Sequence, residues 1–79
     1  MGRYGKKTRL NPPEVIERAI RHFGEGGLGL EMVERTQEMV CFEGGGGHVT
    51  ITACENDGTD VDLETREWDY QVREFMGRL

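Results

Sequence analysis

The run CFEGGGGHVTIT, residues 41–52, constrains this chain more than any other segment. Two short alternating stretches flank four glycines. Folding the chain between Gly45 and Gly46 sets Phe42 opposite Val49 and Val40 opposite Ile51. Apolar side chains then share one side of a hairpin and polar ones the other. A slip of one residue would send every side chain to the wrong face, so the pattern pins a register.

Two further turns test that register. Arg35-Thr36-Gln37 joins a strand of about residues 28–34 to the strand carrying Val40 and Phe42. This pairing sets Met32 against Val40 and Leu30 against Phe42. Asn56-Asp57-Gly58 is a three-residue hairpin signal. It sets Ile51 against Leu63 and Ala53 against Val61, in strands of about 48–54 and 59–66. All three turns give one apolar face, and such agreement between levels marks a specified fold. An alternative starts the last helix near Asp60 and leaves three strands. The strict alternation from Asp60 to Arg66 favours the strand.

Helices flank the sheet. Asn11-Pro12-Pro13-Glu14 supplies an N-cap, a proline at the first helical position and an acid near the positive end of the dipole. Val15, Ile16, Ala19, Ile20 and Phe23 follow on one face of a helix over 13–23, ended by glycines. Trp68, Val72, Phe75, Met76 and Leu79 share one face of a second helix over about 67–78. The expected fold is therefore α+β: a two-layer α-β-β-β-β-α domain, a four-stranded antiparallel meander with both helices on one face.

Charge divides the chain. Ten basic and fifteen acidic residues give a net −5. Residues 1–10 hold four of the basic residues and no acid. They read as a basic flexible tail, able to touch RNA, an acidic partner or its own domain, ahead of a single domain over 11–79. That domain is acidic and repels nucleic acid phosphate. No apolar run approaches the roughly 18 residues of a membrane span. Two widely spaced cysteines suit a reducing cytoplasm. A chain of 79 residues buries only about 60% of its unfolded surface, which makes self-association a natural source of stability.

Candidate chemistry is sparse. Gly24-Glu25-Gly26-Gly27-Leu28-Gly29 fits G-x-G-x-x-G by letter, but a helix precedes it and a strand follows, the reverse of a dinucleotide site. Gly44–Gly47 lacks the lysine and helix of a phosphate loop. Gly45 and Gly46 are nonetheless candidates for anion contact through a backbone nest, with Arg66 nearby. On the uncovered sheet face Glu43, His48 and Arg66 fall in one row, and Cys41 lies diagonally from His48. A carboxylate beside an imidazole and a thiol is the minimum for base-assisted nucleophilic chemistry. A flat open sheet supplies no water exclusion and no oxyanion hole, so these read first as cross-strand polar pairs. Cys41 and Cys54 are roughly 13 Å apart along the strand, too far for a disulfide. His22 sits in the last turn of helix one, where a cation suits the dipole. It has no ligand spacing to His48, and no metal or cofactor is expected.

Strands feeding a C-terminal helix, with Trp68-Asp69 at its start and Phe75 near its end, resemble the last part of helix-grip domains (START and Bet v 1-like proteins). Asn11-Pro12-Pro13-Glu14-Val15 is similar to their first short helix. The resemblance covers about residues 40–79. It implies an apolar-ligand pocket, or an enzyme site, between the helices and the sheet, with Trp68 at its wall. FEGGGGHVTIT and ETREWDYQV also resemble segments of small uncharacterised bacterial proteins, which imply no activity. Double-stranded RNA-binding domains share an α-β-β-β-α order. Their basic start to the last helix is replaced here by the largely acidic Glu64-Thr65-Arg66-Glu67-Trp68-Asp69.

The leading expectation is a cytoplasmic binding module, not an enzyme, that self-associates through its open sheet face or an edge strand. A helix-grip-like binder or enzyme for a small apolar ligand is the alternative.

Overall fold

A computed structural model describes residues 2–79. The elements are β1 (Gly2–Thr8), α1 (Pro12–Phe23), β2 (Glu31–Arg35), β3 (Met39–Gly44), β4 (Gly47–Glu55), β5 (Thr59–Arg66) and α2 (Asp69–Met76). The strands form one antiparallel sheet in the order β1-β5-β4-β3-β2. The chain is thus an α+β domain with five strands, one more than the sequence pattern suggests.

The extra strand is the segment read as a flexible tail. Gly2–Thr8 pairs with Thr59–Thr65 along its whole length. Tyr4 and Lys6 turn toward the helices, and both hold α2. The Tyr4 hydroxyl donates to Asp69 Oδ1 at 2.8 Å, at the start of α2. Lys6 Nζ donates to the Met76 carbonyl at 2.9 Å, at its end. A cation at the negative end of a helix is favourable. On the opposite face Arg3 grips Asp62 with two bonds, of 2.7 and 3.3 Å.

The central registers match the sequence reading. Val40 faces Ile51, Phe42 faces Val49, Ile51 faces Leu63 and Ala53 faces Val61. Gly45 and Gly46 have φ of 59° and 79°, the positive pair that a type I′ hairpin requires. At the second hairpin Asp57 and Gly58 carry the positive φ values.

β2 departs from expectation by two residues. Met32, not Leu30, faces Phe42, and Glu31 faces Glu43. A bulge at Val33 then sets Glu34 against Cys41 and Arg35 against Val40. Leu30 is buried ahead of the strand, where its side chain occupies the space a Cβ on Gly44 would need. Leu30 seated there accompanies the slide of β2, and the bulge adds a third residue of offset, so the chain turns at Gln37-Glu38 with the Thr36 amide donating to the Met39 carbonyl at 2.7 Å.

α1 begins as read: Asn11 Oδ1 accepts from the Glu14 amide at 3.0 Å and Pro12 opens the helix. Gly24 ends it in an extended conformation, its amide donating to the Ile20 carbonyl at 2.9 Å. α1 lies over β3 and β4, while α2 lies over β5 and β1. Between them and the sheet Val15, Ile16, Ala19, Phe23, Val40, Phe42, Val49, Ile51, Leu63, Val72 and Phe75 form the core. Each large side chain so buried contributes roughly 1.5–3 kcal/mol. Thr65 is the fully buried polar member, and its Oγ1 donates to the His48 carbonyl at 2.8 Å.

Candidate functional site

The glycine tip is shaped by the chain itself. Trp68, the residue before α2, donates its indole Nε1–H to the Gly44 carbonyl at 2.9 Å. Its ring lies across the tip, so that a Cβ on Gly45 would stand 2.9 Å from Trp68 Cζ2. A Cβ on Gly47 would run into the Arg66 carbonyl and the Glu67 side chain. Gly46 meets nothing within 4 Å. Three of the four glycines therefore admit another part of the protein. Trp68, a candidate pocket wall, anchors the hairpin.

The open face carries the other sequence candidates. One row reads Arg66, His48, Glu43 and Glu31, and the next Arg3, Glu64, Thr50, Cys41 and Glu34. His48 does sit between Glu43 and Arg66. Its nearest carboxylate contact is a diagonal one, Nε2 to Glu64 Oε1 at 3.6 Å. Glu64 is half exposed, so the contact is a surface pair of small energetic weight. Cys41 lies opposite Thr50, and Cys54 opposite Asp60 further along β4. Both thiols are free. Cys54 Sγ approaches Glu38 Oε2 at 3.7 Å. Burial, then this carboxylate, raise the Cys54 thiol above its ordinary value, which makes it a poorer nucleophile at neutral pH.

Between the helices and the sheet the aromatic rings are in contact with one another. Phe23 packs on Phe42 and Phe75 with ring centroids 5.9 and 5.2 Å apart. Concave surface lies outside the core instead. One cleft of about 550 Å³ opens between α1 and the end of α2, lined by Glu14, Arg18, Arg21, His22, Phe75, Arg78 and Leu79. A second groove runs beside β2, lined by Pro13, Ile16, Glu17, Arg35, Thr36 and Gln37. The sequence reading missed the first cleft. Its one visible signal was the spacing of Arg18, Arg21 and His22, which puts all three on one side of a helix.

Comparison of the chain with family models, with curated proteins and with solved structures found no match. Among the described residues no helix is long and apolar enough to cross a membrane.

Proposed function

We propose that this protein is a small binding module that associates with a second copy of itself along β2. The observation that carries the reading is the exposure of that strand. Every residue from Glu31 to Arg35 is exposed, with Met32 at 44% and Val33 at 48%. α1 reaches it only at one end, where Glu17 meets Arg35 at 2.8 Å. An edge strand of this kind offers its outer N–H and C=O groups for pairing.

Other surfaces suit a second copy less well. The open face presents Glu31, Glu34, Glu43, Asp60, Asp62 and Glu64 against Arg3, Lys7 and Arg66. A copy laid on that face would oppose acid to acid. On the β1 edge, Arg3 and Lys7 are paired with Asp62 and Asp60 inside the protomer. β2 has an acid at Glu31 and a base at Arg35, and Arg35 must exchange its half-exposed partner Glu17, 2.8 Å away on α1, to meet a second copy. Two antiparallel copies bring the acidic end of one beside the basic end of the other.

The contact is weak by construction. The bulge at Val33 interrupts the regular ladder, a usual means of blunting an edge. The accessible surface, 4905 Å², is also close to the roughly 4,900 Å² that size scaling gives a folded monomer of this mass. Association therefore adds to a complete fold. Sedimentation and amide chemical shifts followed from about 10 μM to about 1 mM test the reading. Concentration-dependent shifts confined to residues 31–35 and a rising mean mass support it. A monomer with unchanged shifts throughout that range refutes it.

A helix-grip-like apolar ligand would have to part Phe23, Phe42 and Phe75, and the packing of those rings favours the edge-strand reading.

A further inference from the structure

We propose that the cleft between α1 and the end of α2 binds a small organic anion, a phosphate or carboxylate carrying an apolar group. The first observation is where the cations lie. The chain has ten basic residues and a net charge of −5. Five of the ten, Lys7, Arg9, Arg18, Arg21 and Arg78, line two adjoining depressions that share Arg18 and Leu79. Half of the positive charge of an acidic protein surrounds one end of the molecule.

Those cations are loosely held. Elsewhere arginines make short ion pairs, Arg3 to Asp62 at 2.7 Å and Arg35 to Glu17 at 2.8 Å. In the cleft Arg18 meets Glu14 at 3.7 Å and Arg78 meets Glu74 at 3.7 Å, each within one turn of its own segment and largely solvated. Arg21 makes no ion pair among the described residues. Solvated pairs of this geometry contribute little, so a ligand anion displaces them easily. Guanidinium groups take carboxylate and phosphate oxygens in bidentate fashion, which suits both headgroups.

The floor supplies the apolar half. Phe75 and Leu79 line the cleft. His22 forms part of the wall, its ring 4.8 Å from that of Phe23 and 5.4 Å from that of Phe75. Its Nε2 is closed off from solvent and has no hydrogen-bond partner among the described residues. Because that atom faces away from solvent, His22 meets a ligand through its ring and its charge, and the arginines supply the hydrogen bonds.

The charged groups around His22 are Glu14, Arg18 and Arg21 from α1, Glu74 from α2, and Arg78 beyond it. Burial first, and Arg78 second, push the imidazole below its ordinary value, while Glu74 and the Gln71 carbonyl pull it back. A bound anion offsets Arg78 and favours the imidazolium. Binding therefore raises the His22 pKa and tightens as pH falls.

Titration of the full chain with phenyl phosphate and with benzoate, followed by NMR, tests the proposal. Sodium chloride at matched ionic strength is the control. Saturable shifts at His22, Phe75 and Arg78, with an upward move of the His22 titration, are expected for at least one probe. The arm that saturates first names the headgroup. Arg21→Gln, at an exposed position, should weaken binding about tenfold or more while leaving the sheet resonances in place. Shifts that match the salt control, or undiminished binding by Arg21→Gln, overturn the proposal.

Discussion

The indole Nε1 of Trp68 donates to the carbonyl of Gly44 across 2.9 Å, tying the β3–β4 hairpin tip to the entrance of α2. Trp68→Phe keeps a ring but removes the donor from a part-buried carbonyl. A loss of about 1 kcal/mol in urea denaturation is expected.

The same contact ranks the glycines. At Gly46, with φ 79° and open space around it, alanine incurs only the left-handed conformational cost of about 1–2 kcal/mol. At Gly45, with φ 59°, the added Cβ also meets Trp68 at 2.9 Å. Gly45→Ala is expected to be the more destabilising of the two. Equal losses in denaturation would mean that the ring moves aside freely.

Glu67 holds φ at 75° with a full side chain, where the chain swings from β5 into α2. That conformation costs roughly 1–2 kcal/mol for a residue with a Cβ. Glu67→Gly relieves it and gives back about 0.5–1 kcal/mol as unfolded-state entropy. A small net rise in melting temperature is expected, an unusual result for a helix-proximal glycine.

The clamp between β1 and its neighbours has two titrating parts. The hydrogen bond from Arg3 holds the Asp62 carboxyl below its ordinary 3.8. A depressed carboxylate contributes stability above that value and loses it as pH falls through the folded pKa. The hydrogen bond to Asp69 raises the Tyr4 phenol above its ordinary 10.0. A raised phenol contributes below that value and loses its effect as pH rises through the folded pKa. Amide protection over residues 2–8 should therefore be greatest between these limits and fall on both sides. Protection that is absent near neutral pH would return β1 to the status of a loose tail.

Val33→Lys puts a charge at the centre of the exposed edge. Fold stability should stay within about 0.5 kcal/mol, because the side chain is solvated. Concentration-dependent shifts over residues 31–35 should vanish. If they persist unchanged, the second copy docks elsewhere.

The sequence exposes the centre of this fold and hides its edges, for identifiable reasons. Val40, Phe42, Val49, Ile51, Val61 and Leu63 alternate strictly because helices cover one face of β3, β4 and β5. Alternation is the imprint of half-burial. β1 leaves no such imprint. Of its helix-side residues Gly2, Tyr4, Lys6 and Thr8, only Tyr4 is a large ring, and Lys6 points inward because its amine reaches a helix carbonyl. At β2 the alternation of Leu28, Leu30 and Met32 misleads, since only Leu30 is buried. In the open-face row His48, Glu43 and Arg66 were legible, being set by hairpin register. The arginine cleft was not, because it joins residues 18–22 to residues 75–79 across a packing that no local pattern encodes.

The pairing of Gly2–Thr8 with Thr59–Thr65 has a consequence for the making of the protein. β1 finds its place only beside a strand synthesised more than fifty residues after it. At roughly 5–20 residues per second, that is a wait of about 3–10 s. Throughout it a basic, glycine-containing strand is available to other partners. The contacts of Tyr4 and Lys6 with α2 need a segment made later still, so β1 and α2 secure each other only after the chain through α2 has been made.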